Sequence, residues 1–206
     1  MAEVTAVFWD VGGVILSNGW DRASRAEAAE KFGLDWEDFQ DRHDLANPAF
    51  DTGRITLDTY LDRTVFYRKR PFTRDDFKAF IFSQSQEFPE SRAVLAQVAK
   101  SGKYFLATIN NEPLELNLLR IEKFDLRREF EAFFSSCFVR LRKPEEGIYR
   151  LALEVTQRRP EECLFIDDRA LNLDCARQLG MRTVHFQNAA QLRQELAANG
   201  VSEAGG

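Results

Sequence analysis

Polar residues stand at the points where short apolar runs of the chain end. The carboxylates, amides and single amine at these points are Asp10, Asn110, Asn111, Lys143, Asp167 and Asp168. Because ligands bind at the carboxyl ends of the strands in an open parallel sheet, we expect these side chains to meet in one site. Three carboxylates in a cleft with a low dielectric constant would repel each other and have raised pKa values unless a cation neutralised them. Oxygen ligands suit Mg²⁺, which commonly takes one or two carboxylates together with water and a substrate phosphate, so the pattern predicts a magnesium site.

The apolar runs themselves predict a parallel sheet. The first run, residues 4–9, is β-branched and aromatic and stops at the sequence DVGG, which is typical of a buried strand followed by a tight loop. Later strands are predicted over 104–109, 133–138, 163–166 and 182–186, and helices over 90–101, from about 113, and over 145–156, 169–179 and 189–199. Strands that alternate with helices indicate right-handed βαβ units. The expected class is therefore α/β, with a parallel sheet covered by helices on both faces.

The segment between about residues 20 and 88 has a different pattern, because none of its runs predicts a strand. Its helical patches cover 20–33, 36–46, 56–66 and 74–85, with breaks that include Gly33, Asn47-Pro48, Gly53 and Pro71. We therefore expect an α/β core made of residues 1–16 and 89–206. Residues 17–88 are expected to form a small all-helical cap domain inserted after the first strand.

Composition and charge exclude several classes of protein. The 206 residues include 28 Lys plus Arg and 33 Asp plus Glu, which gives a net charge of −5 without the basic excess typical of a nucleic-acid-binding protein. No window of about 18 apolar residues predicts a membrane span. Three cysteines in no CxxC spacing and two histidines argue against a disulfide framework or a structural zinc site.

The first apolar run continues directly into Asp10 and has no basic region before it, unlike a signal peptide. We therefore expect a globular cytoplasmic protein that binds neither nucleic acid nor membrane. Its oligomeric state is left open by the sequence.

Four motifs stand in an order and at a spacing that resemble those of one enzyme family. They are FWDVGGVIL at 8–16, LATINN at 106–111, Arg142-Lys143-Pro144, and FIDDRALNLDCARQLGM at 165–181. Together they resemble the haloacid dehalogenase-like superfamily of aspartate-nucleophile hydrolases, and specifically its phosphatases with a helical cap inserted after the first strand. The resemblance covers essentially the whole chain and implies a Rossmann-like core.

The resemblance implies a nucleophile and a set of metal ligands. Asp10 is the expected nucleophile, which becomes an aspartyl-phosphate and also contacts Mg²⁺. The backbone carbonyl of Gly12 and the carboxylate of Asp168 are the expected further ligands. Asp167 is expected beside them or acting through water.

It also implies how the substrate is held. Lys143 is expected to bridge the nucleophile and the phosphoryl oxygens, and so to serve both catalysis and substrate binding. Asn110, with the amide of Asn111, is expected to hydrogen-bond the transferring phosphoryl group. Asn172 is expected to brace the loop after the fourth strand.

Two positions depart from the family pattern. Gly12 stands where the family usually has an aspartate that acts as general acid and base, a function typically worth about 10²- to 10⁴-fold in rate. Its absence predicts a slow enzyme, a substrate with an easy leaving group, or a substitute proton donor such as His43 in the cap. Asn110 stands where the family usually has Ser or Thr, and an amide can still donate a hydrogen bond to an oxyanion.

The expected function is a Mg²⁺-dependent phosphatase that hydrolyses a small phosphorylated metabolite. The first alternative is a 2-haloacid dehalogenase, because halide leaves without a proton, although such enzymes work without metal and would leave the paired Asp167 and Asp168 poorly compensated. The second alternative is a degenerate member that binds a phosphorylated ligand or a partner protein without turnover, which the glycine at position 12 suggests.

Overall fold

A computed structural model describes residues 2–203. Its centre is one five-stranded sheet in which every pair of neighbouring strands is parallel, in the order β3-β2-β1-β4-β5. The strands are β1 (Ala6–Trp9), β2 (Phe105–Asn110), β3 (Ala132–Ser135), β4 (Cys163–Asp167) and β5 (Arg182–His185). The parallel α/β fold predicted from the alternating pattern is confirmed.

Ten α-helices flank the sheet or form the insertion in the described part of the chain. The insertion holds α1 (Arg22–Phe32), α2 (Trp36–Asp51), α3 (Leu57–Thr64) and α4 (Arg74–Ser83). The helices that follow are α5 (Pro89–Ser101), α6 (Leu114–Lys123), α7 (Ser136–Val139), α8 (Glu146–Thr156), α9 (Ala170–Gln178) and α10 (Ala189–Ala198). Helices α5, α6 and α10 pack on one face of the sheet, and α8 and α9 pack on the other.

Strand β1 shows why the sheet is buried on both faces. Val7 and Trp9 belong to the apolar cluster on one face, whereas Ala6 and Phe8 belong to the cluster on the other, and all four are fully buried. Side chains alternate between the faces of a strand, so a strand covered on both sides must be apolar at every position. The next residue, Asp10, is the first polar one and lies just beyond the edge of this core.

Each helix of the insertion begins at a side chain that caps it. Asp21, Asp35, Thr56 and Thr73 accept hydrogen bonds from free backbone amides in the first turns of α1 to α4. The four helices enclose an apolar cluster of their own, rich in aromatic residues, which also includes Leu116 of α6. The helix caps are visible in the sequence, whereas the contact with α6 is a product of the fold.

The chain enters and leaves the insertion through two adjacent linkers. The amide of Ser17 donates to the carbonyl of Gln86, and the amide of Phe88 donates to the carbonyl of Ile15. Arg120 of α6 ties both linkers to the core, because it donates to the carbonyl of Ser17 and to the hydroxyl of Ser85. The assignment of 1–16 and 89–206 to a core domain and 17–88 to a cap domain stays a prediction.

Two predicted elements differ from the structure. Helix α2 continues through Asn47-Pro48, where a break was predicted, because Ala46 and Phe50 are buried in the cluster of the insertion and hold the last turn in place. The predicted strand 133–138 was wrong in its second half, since β3 ends at Ser135 and a helical turn follows. The hydroxyl of Ser136 accepts from the amide of Glu112 and donates to the carbonyl of Asp51, contacts that an apolar pattern cannot reveal.

No helix within residues 2–203 combines the length and the hydropathy that crossing a membrane requires.

Candidate functional site

The strand order places a crevice at the centre of the sheet. From β1 the chain proceeds to β2 and β3 on one side, and later returns to β4 and β5 on the other. In open parallel sheets, ligands bind at such a reversal of strand order, outside the carboxyl ends of the strands. Asp10 directly follows β1, and Asp167 is the last residue of β4. The two carboxylates predicted from strand ends are therefore neighbours.

Lys143 lies between these carboxylates. Its Nζ atom is 2.9 Å from Asp10 Oδ1 and 2.6 Å from Asp167 Oδ2, and its side chain is 1% exposed. Asn111 positions the lysine through two hydrogen bonds of 2.8 Å, because its amide donates to the carbonyl of Lys143 and its oxygen accepts from the amide of Lys143. Although burial opposes it, the two carboxylates hold the pKa of Lys143 above its usual value. The lysine is a permanent cation at the bottom of the site.

One lysine does not balance the charge of the cluster. Burial raises the pKa of Asp10 to about 7, the charge of Lys143 opposes this shift, and the neighbouring Asp167 adds to it. Burial also raises the pKa of Asp168, and Asp167 again contributes. Both shifts arise chiefly from burial of the charged form and secondarily from repulsion by Asp167, and a bound cation would oppose both causes.

The donor atoms fit a magnesium ion. Ligand oxygens of Asp10, Asp167 and Asp168 lie within 4.8 Å of one another. Asp168 Oδ1 is buried and has no hydrogen-bond partner among residues 2–203. A buried carboxylate oxygen without a partner is costly, and a hard cation bound there would offset this cost.

The three carboxylates are not equivalent. Both oxygens of Asp167 are occupied: Oδ1 accepts from the amide of Arg169 at 2.8 Å, Oδ2 accepts from Lys143, and the side-chain amide of Asn172 lies 3.0 Å from each. Asp167 therefore orients Lys143. Asn172, which was expected to brace the loop after the fourth strand, holds the carboxylate of Asp167 in place. In contrast, Asp10 Oδ2 has no hydrogen bond within the described residues, which leaves it available to a ligand or to a phosphorus atom.

Two glycines shape the loop that follows β1. Gly13 has φ +79°, and a Cβ atom there would lie 2.4 Å from Asp168 Oδ2, so the close approach of the two loops requires glycine. Sequence analysis did not single out this residue, although two consecutive glycines at a strand end were the signal. Gly12 has a backbone that any residue can adopt, but its Cβ would lie 3.0 Å from Asn18 Oδ1 and 3.6 Å from a guanidinium nitrogen of Arg120.

The structure does not bring the side chain of Asn110 to the cavity. This side chain is buried, where its amide donates to Asn117 Oδ1 at 3.2 Å and its oxygen accepts from the hydroxyl of Ser135 at 2.8 Å. Asn111 does line the cavity, with its side chain committed to Lys143. Contact of Asn110 with a phosphoryl group stays a prediction, and it would require these hydrogen bonds to be exchanged.

A cavity of about 430 Å³ adjoins the carboxylate cluster, and Asp10 is the carboxylate of that cluster that lines it. Its core wall includes Asp10, Gly12 and Lys143, and its opposite wall comes from the insertion. Arg142 and Arg169 line the cavity too, and both stand in motifs that the sequence analysis singled out. Sequence analysis did not connect the following charged lining residues with the site: Asp21, Arg22, Arg25, Asp51, Glu112 and Arg120. These six belong to no motif, so tertiary packing brings them together.

Glu112 and Arg120 form a buried ion pair beside Gly12. Arg120 Nη1 lies 2.7 Å from Glu112 Oε2, and the two side chains are 1% and 7% exposed. Burial raises the pKa of Glu112, and Arg120 opposes this shift. The pair occupies space near the point where the side chain of a larger residue 12 would begin.

His43 reaches the cavity from the insertion. Its Nδ1 atom is 2.8 Å from the hydroxyl of Tyr60, which accepts from Trp20 Nε1 at 2.9 Å. Burial, together with the smaller effect of the charge of Arg25, lowers the pKa of His43 to about 3. His43 is therefore a neutral ring at pH 7, which disfavours the predicted role as a substitute general acid. Tyr60 and Phe50 mainly pack inside the insertion, because their ring centroids stack 4.2 Å apart and both side chains are buried.

Comparison with known proteins adds a family and relatives. The sequence profile of haloacid dehalogenase-like hydrolases matches residues 4–180. One curated relative is flavin mononucleotide hydrolase 1, chloroplastic, of Arabidopsis thaliana, which is 27% identical over 161 residues. The match spans 78% of this chain and 64% of that protein, so less than two thirds of the relative is represented here.

Solved structures share the fold. The HAD family enzyme bt-2542 of Bacteroides thetaiotaomicron in a magnesium complex superimposes with a TM-score of 0.76 at 21% identity, over 90% of this chain and 94% of that one. The same enzyme was also crystallised with magnesium and inorganic phosphate. L-2-haloacid dehalogenase of Xanthobacter autotrophicus, with chloropropionic acid covalently bound, gives a TM-score of 0.62 at 16% identity, over 97% of this chain and 84% of that one.

Proposed function

We propose that this chain, which belongs to the haloacid dehalogenase-like hydrolases, is a Mg²⁺-dependent phosphatase that hydrolyses a small phosphorylated substrate through an aspartyl-phosphate on Asp10. The observation that carries the proposal is the buried, unpartnered Oδ1 atom of Asp168 beside Asp10 and Lys143. This donor set suits a hard cation and a phosphate together. Asp167 could orient Lys143 in a metal-free site as well, but a site for metal-free displacement of halide leaves the buried Oδ1 atom of Asp168 without a ligand.

Relatives support the phosphatase proposal over the dehalogenase. One relative is named as a flavin mononucleotide hydrolase, and bt-2542 binds magnesium and phosphate in its crystals. We also propose a cytoplasmic location for this chain. The flavin mononucleotide hydrolase of Arabidopsis thaliana is, by its name, a chloroplast protein.

Asp10 and Lys143 would carry the first step. Asp10 Oδ2 attacks the phosphorus atom, a bond between phosphorus and this oxygen forms, and the bond to the leaving oxygen breaks. Lys143 holds the other oxygen of Asp10 and offers positive charge to the phosphoryl oxygens. Mg²⁺ would be held by Asp10, Asp168 and the carbonyl of Gly12. When bound, it would neutralise negative charge on the phosphoryl group. Water then attacks the phosphorus atom, which releases phosphate and restores the carboxylate of Asp10.

Release of phosphate from an aryl phosphate, with Mg²⁺ and with EDTA, tests this function directly. Mg²⁺-dependent release supports the phosphatase. Halide release from 2-chloropropionate without metal would instead identify a dehalogenase. Binding of inorganic phosphate without turnover of any ester would identify a non-catalytic ligand-binding protein.

Asp168→Ala is expected to weaken Mg²⁺ binding about 10-fold or more, because a buried charged ligand is lost. A ligand that binds only the folded state adds about 2.7 kcal/mol of stability at 100 times its Kd, so Mg²⁺ should raise the melting temperature of the wild type. Thermal melts over a Mg²⁺ titration measure both effects. The matched control is Asp174→Ala, which removes an exposed carboxylate from α9, the helix that begins two residues after Asp168. Equal Mg²⁺ responses in wild type and Asp168→Ala would refute the ligand assignment.

Gly12→Asp is expected to speed hydrolysis of alkyl phosphates by up to about 10²-fold and to change aryl phosphates little, because alkyl leaving groups need a proton. The backbone at position 12 accepts a side chain, although Asn18 must give way by a few tenths of an ångström. The measurement is the ratio of kcat/KM for an alkyl and an aryl phosphate. Gly12→Asn is the control, since it has nearly the same shape without the acid. An unchanged ratio in folded, Mg²⁺-binding Gly12→Asp would show that the proton comes from elsewhere.

A further inference from the structure

Arg25 is a buried cation without a carboxylate partner. It lies on α1 in the insertion and is 7% exposed. Its Nε atom donates to Gln40 Oε1 at 3.2 Å, and its Nη1 atom donates to the carbonyl of Trp20 at 2.7 Å, so both acceptors are neutral. Within residues 2–203, no carboxylate lies within the 4.0 Å that defines an ion pair. A charged side chain is rarely buried in this way unless something compensates it.

The carboxylates in the neighbourhood are engaged with other groups. Asp21 accepts from the amide of Ser24 as the cap of α1, and Asp44 accepts from the side-chain amide of Gln40. Asp51 accepts from the side-chain amide of Asn47 and pairs with Arg142. Burial lowers the pKa of Arg25, and although Asp44 and Asp21 oppose this shift, the pKa stays below its usual value. The described residues therefore compensate the charge of Arg25 incompletely.

The other arginines of the cavity are compensated. Arg142 lies 3.4 Å from Asp51, and Arg120 pairs with Glu112. Arg22 and Arg169 are exposed to water. The lack of compensation at Arg25 is therefore not a general property of the cavity wall.

His43 adds a second donor beside Arg25. Trp20 Nε1 can only donate, so the oxygen of Tyr60 accepts this bond. We assign the hydroxyl hydrogen of Tyr60 to the bond with His43 Nδ1, because otherwise this buried hydrogen has no acceptor among the described residues. Because Nδ1 of the neutral ring accepts this hydrogen bond, the ring hydrogen is on Nε2. His43 and Arg25 both line the cavity, and both therefore offer N–H groups rather than acceptors to a ligand.

We propose that Arg25 and His43 bind an oxyanion carried by the leaving group of the substrate, either a carboxylate or a second phosphate. This inference rests on the proposed function, because the transferring phosphoryl group is assigned to Asp10 and Lys143 on the opposite wall. The substrate class is then a phosphoric monoester of an anionic alcohol. The donors of Arg25 and His43 match an oxyanion, and the buried guanidinium gains its missing counterion on binding.

Three probes of similar chain length test this specificity. They are butyl phosphate, 3-phosphooxypropanoate and propane-1,3-diyl bisphosphate, which end in a methyl group, a carboxylate and a phosphate. The wild type is expected to show a kcat/KM about 10-fold or more higher for at least one anionic probe than for butyl phosphate, as expected for hydrogen bonds to a charged group. The preferred probe tells carboxylate from phosphate.

Arg25→Gln is expected to remove this preference, so that the ratio of kcat/KM values falls towards one. The control variant is Arg42→Gln. Arg42 belongs to the insertion but does not line the cavity, so this variant is expected to keep the wild-type ratio of kcat/KM values. An equal loss for all three probes in Arg25→Gln would overturn the proposal, because Arg25 would then serve the phosphoryl group or the fold. A wild type without preference for an anionic probe would overturn it as well.

Binding separates this inference from the proposed function. Calorimetry measures the Kd of butyl phosphate, 3-phosphooxypropanoate and propane-1,3-diyl bisphosphate for the Asp10→Asn variant, with and without Arg25→Gln. Weakening by about 10-fold or more for the preferred probe, with butyl phosphate affected less, supports the oxyanion site even if no ester is turned over. Equal affinities of the single and double variants for all probes refute the site, whatever the assays of phosphate release show.

Discussion

Asp10→Asn is expected to reduce phosphate release by about 10⁴-fold or more, because an amide cannot form the aspartyl-phosphate and loss of a nucleophile removes a step that other groups do not replace. The fold should persist, since asparagine is nearly equal in size and Lys143 keeps its contact with Asp167. The measurement combines steady-state phosphate release with intact mass after an acid quench. The mass should show a transient phosphoryl group on the wild type and none on the variant.

Asp35→Asn is the matched control for this change. Asp35 caps α2 on the exposed side of the insertion, and asparagine caps a helix equally well, so activity should stay at the wild-type level. Rapid phosphate release by folded Asp10→Asn, or a phosphoryl group that still appears on it, would exclude Asp10 as the nucleophile. The metal site would then need a different interpretation.

Lys143→Met is expected to lower the free energy of unfolding by about 3–5 kcal/mol, because it leaves the buried carboxylates of Asp10 and Asp167 without their cation. For a chain of this size, the loss corresponds to a melting temperature lower by roughly 6–20 °C. Thermal melts at pH 8 without metal measure it. Lys100→Met, on the exposed last turn of α5, is the control and should melt within about 2 °C of the wild type.

The loss of stability in Lys143→Met is expected to depend on pH. Burial raises the pKa of Asp10 in the folded protein to about 7 even with Lys143 present, whereas an unfolded aspartate titrates near 3.8. An acid with a raised folded pKa destabilises the fold at high pH, and the penalty fades as pH falls from the folded towards the unfolded pKa. The deficit of Lys143→Met should therefore be largest above pH 7 and shrink towards pH 4. A deficit that is absent at pH 8, or that grows on acidification, would contradict the pairing described here.

The sequence alone was sufficient for the parallel α/β class and for the carboxylates at the edge of the sheet, although it extended the third strand too far. Runs of consecutive apolar residues specify strands buried on both faces, and such strands must end where polar residues begin. Asp10 and Asp167 were predicted in this way, and the topology then placed them side by side. The helix caps of the insertion were equally local, because a cap contacts amides within three residues of itself.

The other wall of the cavity could not be predicted from the sequence. Arg25, His43 and Lys143 are separated by up to 118 positions, obtained as 143 − 25, and no motif links them. They share a cavity because Leu116 of α6 joins the apolar cluster that α1 and α2 help to form, and because paired linkers connect the insertion to the core. Contacts over such separations depend on the packing of whole elements, whereas periodicity and capping report on neighbours within a few residues. The sequence therefore determined which residues could perform the chemistry, and the tertiary structure decided which side chains face them across the cavity.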